Sequence, residues 1–281
     1  MKNSMKLGRG ARKSRYDMVV SKVKEFKVAV AQMDIKLGDK ETNLKKTAEI
    51  VSVASKQGAD FVCLPEYFST GSVPEQCSKL AEPVPGYTVD KLGAIAKENG
   101  IYVVASILER ADDKIYNTAV LIDPGGELLT KYRKMHLFME EQAYIAQGGE
   151  YSIVDTEFGK VGLMICYDAI FPEVARRLAL QGVSIIFMPA NWPDPFLPQW
   201  RLATSARALD NQIWLVAANR IGADNKFTYF GRSRIVNSYG DSVVECGEKE
   251  EVLVVTVDGR VTEEFKKIVN FLKDRQPEAY R

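Results

Sequence analysis

Histidine is almost absent. The 281 residues contain a single one, His136, so any proton relay built on imidazole must use that ring, and most Ser–His and Cys–His arrangements lose their base. Paired cysteines are lacking as well. Cys63, Cys77, Cys166 and Cys246 show no metal-finger spacing, and a chain of this size needs no disulfide staples. There is no excess of charge: 38 Lys and Arg against 37 Asp and Glu leave +1 at pH 7, no footprint for nucleic acid or an anionic membrane. No apolar run approaches the roughly 18 residues of a membrane span. No Gly-x-Gly-x-x-Gly turn or Walker-type loop occurs, which removes the main support for dinucleotide and phosphate chemistry. With 46% hydrophobic and 27% charged residues, what is left is a globular protein with ample core material, expected in a reducing, cytoplasmic setting.

Residues 1–25 stand apart. Lys2, Lys6, Arg9, Arg12, Lys13 and Arg15 come before the first apolar run, with no hydrophobic segment or small-residue cleavage site, so they read as a disordered basic leader and not as a secretory signal. Beyond them the pattern predicts a strand over 27–33, a helix over 40–57 with Leu44, Ala48, Val51 and Ala54 near helical spacing, and a strand over 60–64 stopped by Pro65. A helix over 88–99 ended by Gly100 follows, then strands over 101–108, 115–122 and 128–132. Asp123-Pro-Gly-Gly126 joins the last two as a hairpin. Later come a helix over 172–181, a strand over 184–188, a helix over 199–209 and a strand over 213–218. Two or three strands between Arg232 and Val257 precede a closing helix over about 262–272. Gln57-Gly58 and Gln181-Gly182 each open a strand that ends in proline, an echo that fits two related α–β units or coincidence. Interleaved helices and mostly apolar strands imply a sheet covered on its outer face by helices.

The most informative stretch is Gly159-Lys-Val-Gly-Leu-Met-Ile-Cys-Tyr-Asp168. Val161 to Ile165 reads as a buried strand that stops at Cys166, and Phe171-Pro172-Glu173 opens a helix with proline in its first turn. A sulfur there projects past the end of the sheet, where helix N-terminal N–H groups favour negative charge. A buried structural thiol fits the same stretch equally well. Glu66, just past Leu64-Pro65, and Lys134, just past the 128–132 strand, also sit at strand ends, where α/β proteins assemble their sites. A carboxylate can act as the base a thiol needs, and an ammonium can stabilise a thiolate or an oxyanion. Taken singly, Glu66 also suits a helix start and Lys134 a solvated run with Lys131 and Arg133.

Together, Leu64-Pro-Glu-Tyr67, Lys131-Tyr-Arg-Lys-Met-His-Leu137 and Gly162-Leu-Met-Ile-Cys-Tyr-Asp168 resemble the three signature segments of the nitrilase superfamily, carbon–nitrogen hydrolases with a Glu-Lys-Cys triad. The resemblance runs from Lys27 through nearly the whole chain, including Arg207-Ala-Leu-Asp-Asn211, Phe230-Gly-Arg-Ser233 and Lys273-Asp-Arg-Gln-Pro-Glu278. It implies a four-layer α-β-β-α sandwich, a single domain over 26–281 with a C-terminal tail from about 260, and subunits joined as a homodimer or higher homo-oligomer. It also implies that Cys166 is the nucleophile, Glu66 the general base and Lys134 the stabiliser of the tetrahedral intermediate, with the Tyr167 N–H as a second oxyanion donor. A second glutamate between lysine and cysteine would be Glu141, with Glu140 as the alternative. The chemistry requires no metal and no organic cofactor.

His136 lies two residues from Lys134, and it is the one imidazole a Cys–His arrangement would have to use. It reads as structural, and Asp168 as a carboxylate tied to its turn. Tyr67, Tyr167, Asn191 and Trp192 are the substrate-binding candidates, with Phe68, Phe196 and Trp200 as further aromatics that core packing could explain. Tyr167-Asp168 looks like the amidase and carbamoylase branches, whereas true nitrilases usually have tryptophan and glutamate after the nucleophile. Ile170 stands where many omega-amidase-like members have arginine, which weakens a dicarboxylate-amide substrate. The expectation is an enzyme that hydrolyses a small aliphatic amide or N-carbamoyl compound to acid and ammonia through a cysteine thioester. Its partner would be a small-molecule amide, with no nucleic acid and no membrane. A nitrile substrate, acyl transfer to an amine, and a non-catalytic scaffold stand as the alternatives.

Overall fold

The computed structural model describes residues 25–280, so the basic leader lies almost wholly outside the described residues. The first sheet starts from β1 (Phe26–Gln32), a short run buried from Val28 onward. It lies parallel to β2 (Phe61–Cys63), which lies parallel to β3 (Tyr102–Ala111). Parallel neighbours need crossovers. These are α1 (Lys40–Lys56) and, after the short α2 (Cys77–Leu80), α3 (Tyr87–Asn99). Asp39 caps α1 by accepting from the Thr42 N–H at 3.1 Å, and Gly100 closes α3 in the left-handed region at φ 62°. The β4 (Lys114–Ile122) and β5 (Leu128–Arg133) strands then add antiparallel, as the Asp123–Gly126 turn predicts.

The second sheet repeats this plan. β6 (Ser152–Thr156) leads into β7 (Gly159–Leu163), α4 (Pro172–Leu180), β8 (Ile185–Ala190), α5 (Leu197–Leu209) and β9 (Trp214–Asn219). A ribbon of β10 (Ile221–Ala223) and β11 (Thr228–Phe230) interrupts before β12 (Arg234–Val236) and β13 (Ser242–Glu245). β14 (Glu251–Val257) returns to pair antiparallel with β1, and α6 (Gly259–Ile268) follows. The orders are β14-β1-β2-β3-β4-β5 and β13-β12-β9-β8-β7-β6. Each sheet thus has three parallel strands between antiparallel neighbours. The Gln-Gly echo falls at the same point of both: Gln57 and Gln181 cap α1 and α4, and β2 and β8 follow.

Side-chain alternation along the strands builds the layers. Val103, Ala105 and Ile107 of β3 pack outward on Leu44, Val51 and Leu92 of α1 and α3. Tyr102 and Val104 face the other sheet, where Phe61 stacks on Tyr102 at 4.4 Å and on Phe187 of β8 at 5.2 Å. Val174, Leu178, Trp200 and Ala203 of α4 and α5 cover the second sheet. The result is the four-layer α-β-β-α sandwich. Several elements differ from the sequence reading, the short α2 among them. β6 and the β10–β11 ribbon were not expected, and α6 starts at Gly259 because Asp258 accepts from the Arg260 N–H at 2.9 Å and sets the cap earlier. Among the described residues, no helix is long and apolar enough to cross a membrane.

Candidate active site

Four polar positions sit just beyond strand ends at one side of the sandwich: Glu66 after β2, Lys134 after β5, Cys166 after β7 and Asn191 after β8. Pro65 ends β2, and Glu66 beyond it is 2% exposed. Its Oε1 accepts from Lys134 Nζ at 2.9 Å and Asn117 Nδ2 at 2.6 Å, and its Oε2 accepts from the Asn191 N–H at 2.7 Å. Asn117 is itself held: Ser106 Oγ donates to its Oδ1 at 3.0 Å and accepts from the Tyr67 N–H at 2.9 Å. The Lys134 N–H donates to the Asn117 carbonyl at 2.8 Å, which registers the lysine against β4. Lys134 Nζ also donates to Glu141 Oε2 at 2.7 Å. That carboxylate accepts from the Phe138 N–H at 2.8 Å and from the Tyr67 hydroxyl at 2.9 Å as well. Lys134, 1% exposed, is thus a buried ammonium bridging two carboxylates.

Cys166 opens a 3-10 turn, Cys166–Ile170, that separates β7 from α4. Its φ is +46°, and Tyr67 beside Glu66 has φ +50°. Such left-handed geometry costs a side-chain-bearing residue about 1–2 kcal/mol, and here it falls on both sides of the site. The turn is held by Asp168, fully buried, whose Oδ2 accepts from the Ile165 N–H at 3.0 Å and the Tyr132 hydroxyl at 2.8 Å.

Burial dominates the electrostatics. It pushes the Cys166 thiol well above its ordinary range, the Glu66 charge adds to the shift, and Lys134 only partly offsets it. Burial also raises the Glu66 carboxyl, with the Lys134 charge opposing and the Glu141 charge adding. Burial disfavours the Lys134 charge, but the Glu141 and Glu66 carboxylates overcome that and hold the ammonium well above the usual lysine range. Burial thus favours the neutral Cys166 thiol, and a sulfur that attacks must hand its proton to a neighbouring base.

Glu66, Lys134, Glu141 and Cys166 line one cavity of about 600 Å³. Of the substrate-binding candidates, Tyr67 and Asn191 are on its wall. Tyr167 and Trp192 are not: Tyr167 meets the ring edges of Phe138 and Phe171, and Trp192 turns into the core against Trp200. Trp200 is fully buried, Phe196 is partly exposed, and Ile170 lies outside the cavity wall. Of the adjacent glutamates, Glu141 turns inward, while Glu140 is 66% exposed and ion-paired with Lys226. Sequence reasoning missed Asn117 and Ser106, whose signal was polar residues inside apolar strands, and the 224–227 tip of the β10–β11 ribbon at the cavity mouth. No cluster of potential metal ligands occurs among the described residues.

A sandwich with a thiol, a carboxylate and an ammonium at one sheet end defines a class of hydrolase, and comparison with known proteins agrees. A family model described as carbon-nitrogen hydrolase matches residues 27–267, and the chain belongs to that family. It is 36% identical over 262 residues to a nitrilase of Pyrococcus abyssi, covering 90% of this chain and 98% of that protein. It is 33% identical over 268 residues to the omega-amidase NIT2 of Mus musculus, covering 91% and 96%. A solved structure of the amidase from Nesterenkonia sp. AN1, showing covalent addition of the acetamide moiety of fluoroacetamide at its active-site cysteine, aligns with a TM-score of 0.82 at 27% identity, covering 91% and 95% of the two chains. The protein is a carbon–nitrogen hydrolase, an enzyme acting on bonds other than peptide bonds.

Proposed function

We propose that the enzyme hydrolyses a small primary amide through a thioester on Cys166, or an N-carbamoyl compound through the corresponding S-carbamoyl adduct, with the carbamic acid then released. Glu66 takes the thiol proton as sulfur attacks the carbonyl carbon, and Lys134, with the Tyr167 N–H, stabilises the oxyanion. As the C–N bond breaks, Glu66 returns the proton to the leaving nitrogen, and ammonia departs. Water then attacks the thioester, giving its proton to Glu66. Collapse expels the thiolate, which is reprotonated, and the acid leaves. Glu141 orients the substrate and assists proton transfer.

The observation that carries this reading is the Lys134 ammonium, hydrogen-bonded at once to Glu66 and Glu141 on the wall that also holds Cys166. So buried a cation and two carboxylates are costly to retain without chemical use. The amidase with a covalent adduct at its cysteine supports the nucleophile assignment. Ammonia release from a panel of small amides, ureido acids and nitriles, by wild type and Cys166→Ser, is the test. Turnover of amides that disappears in the variant supports the reading; turnover of nitriles alone replaces it with nitrile hydrolysis.

A further inference from the structure

Outside its buried floor, the cavity has walls charged mainly with one sign. Glu75, Glu140 and Asp224 stand around it, with Lys226 as the one cation they share. Lys226 is already ion-paired with Glu140, and Lys134 below is held by Glu66 and Glu141. Asp224 accepts from the Lys226 N–H at 2.9 Å, the Phe227 N–H at 2.8 Å and the Tyr229 hydroxyl at 2.6 Å, contacts that fix the ribbon tip and leave its charge in place. Glu75, exposed in the short Pro74–Gln76 turn, lies on the same wall. No arginine or histidine lines the cavity among the described residues.

We infer that the substrate of this site carries an ammonium group at the end away from the scissile amide, and that amides ending in a carboxylate are discriminated against. This rests on the amide-hydrolysis reading above. A cavity of about 600 Å³ leaves room beyond the reacting carbonyl for a short chain reaching toward the mouth. A carboxylate at its end would meet no free cation, and it would sit unpaired beside Glu75 and Asp224. An ammonium there would meet Glu75 and compete with Lys226 for Glu140. A cleft lined by one sign of charge also concentrates the opposite sign, which favours encounter with cationic substrates.

The test measures kcat/KM of the full chain on three primary amides matched in length and ending in methyl, ammonium or carboxylate. The expected ratio of ammonium to carboxylate is at least about tenfold at low ionic strength, shrinking as salt shortens the screening length from about 30 Å at 0.01 M to about 3 Å at 1 M. Glu75→Gln should narrow that ratio by about threefold, and Lys226→Gln should widen it. A ratio near one, or a preference for the carboxylate, overturns the inference while the methyl-terminated amide still shows the hydrolase at work. Absence of turnover on all three amides overturns the amide reading together with it.

Discussion

His136 Nδ1 lies 2.8 Å from Asp168 Oδ1, and the His136 N–H donates to the same oxygen at 3.0 Å. The imidazole lies flat on Phe171 at 3.7 Å. Asp168's other oxygen accepts from Ile165, directly before Cys166, and from Tyr132, two residues before Lys134. One buried carboxylate therefore joins the Lys134 loop to the Cys166 turn. Asp168→Asn puts an NH2 where one of the two acceptor oxygens stood, so either the His136 N–H or the Ile165 N–H loses its partner. The expected cost is about 2–4 kcal/mol in unfolding free energy and at least tenfold in kcat. Denaturant melts and steady-state kinetics check both, and an unchanged kcat in a folded variant would count against a positioning role.

Cys166→Ser should lower kcat by roughly a thousandfold or more while the fold persists, since the hydroxyl is a far weaker nucleophile in a site without imidazole. Intact-protein mass spectrometry after brief mixing with substrate should show an acyl adduct on wild type and none on the variant.

Glu66→Gln should reduce kcat by roughly 10²–10⁴, the usual reach of general acid–base catalysis. It should also destabilise, because Glu66 accepts from Lys134, Asn117 and Asn191 and an amide can accept through one atom only. In wild type, the raised Glu66 carboxyl must be ionised to act as base. Activity should therefore fall on acidification at a pH above the ordinary glutamate range of about 4.3, and hold through the alkaline range where Lys134 keeps its proton. A pH profile of kcat/KM reads this directly.

Glu109 offers a stability test away from the site. Burial would raise its carboxyl, but hydrogen bonds from Arg133, Lys131 and Thr118 prevail and pull it down to about 2. A depressed folded-state value contributes stability that is fully present above the unfolded value, about 4.3, and is lost as pH falls toward 2. Glu109→Gln should cost about 2 kcal/mol at pH 7, and the gap from wild type should close between pH 4 and pH 2 in calorimetric melts.

Strand and helix order was legible because local signals coincide: proline ends β2, glycine ends α3, and Asp-Pro-Gly-Gly builds the β4–β5 hairpin. Glu66, Lys134 and Cys166 each follow a strand, so their placement at strand ends could be read one at a time. Asn117, which braces Glu66 from β4, is marked locally only as a polar residue inside a strand, and its partner lies 51 positions away. Trp192 misled for a similar reason. It follows a strand end as a cleft residue would, yet the Asn219 side chain accepts from its N–H at 2.7 Å and the indole turns toward Trp200. Only the packing of α5 decides that direction.

The two-sheet plan has a consequence for how the enzyme fails. Glu66 and Lys134 follow β2 and β5, whereas Cys166 follows β7, so the proposed chemistry depends on how the sheets dock. Phe61 against Phe187 is a bolt across that joint, and trimming Phe61 to alanine should cost about 3–5 kcal/mol. On heating, turnover should disappear as soon as one sheet slides on the other by about an ångström, while helices and strands still give their full dichroism. Neither half, made alone, can retain a fraction of the activity.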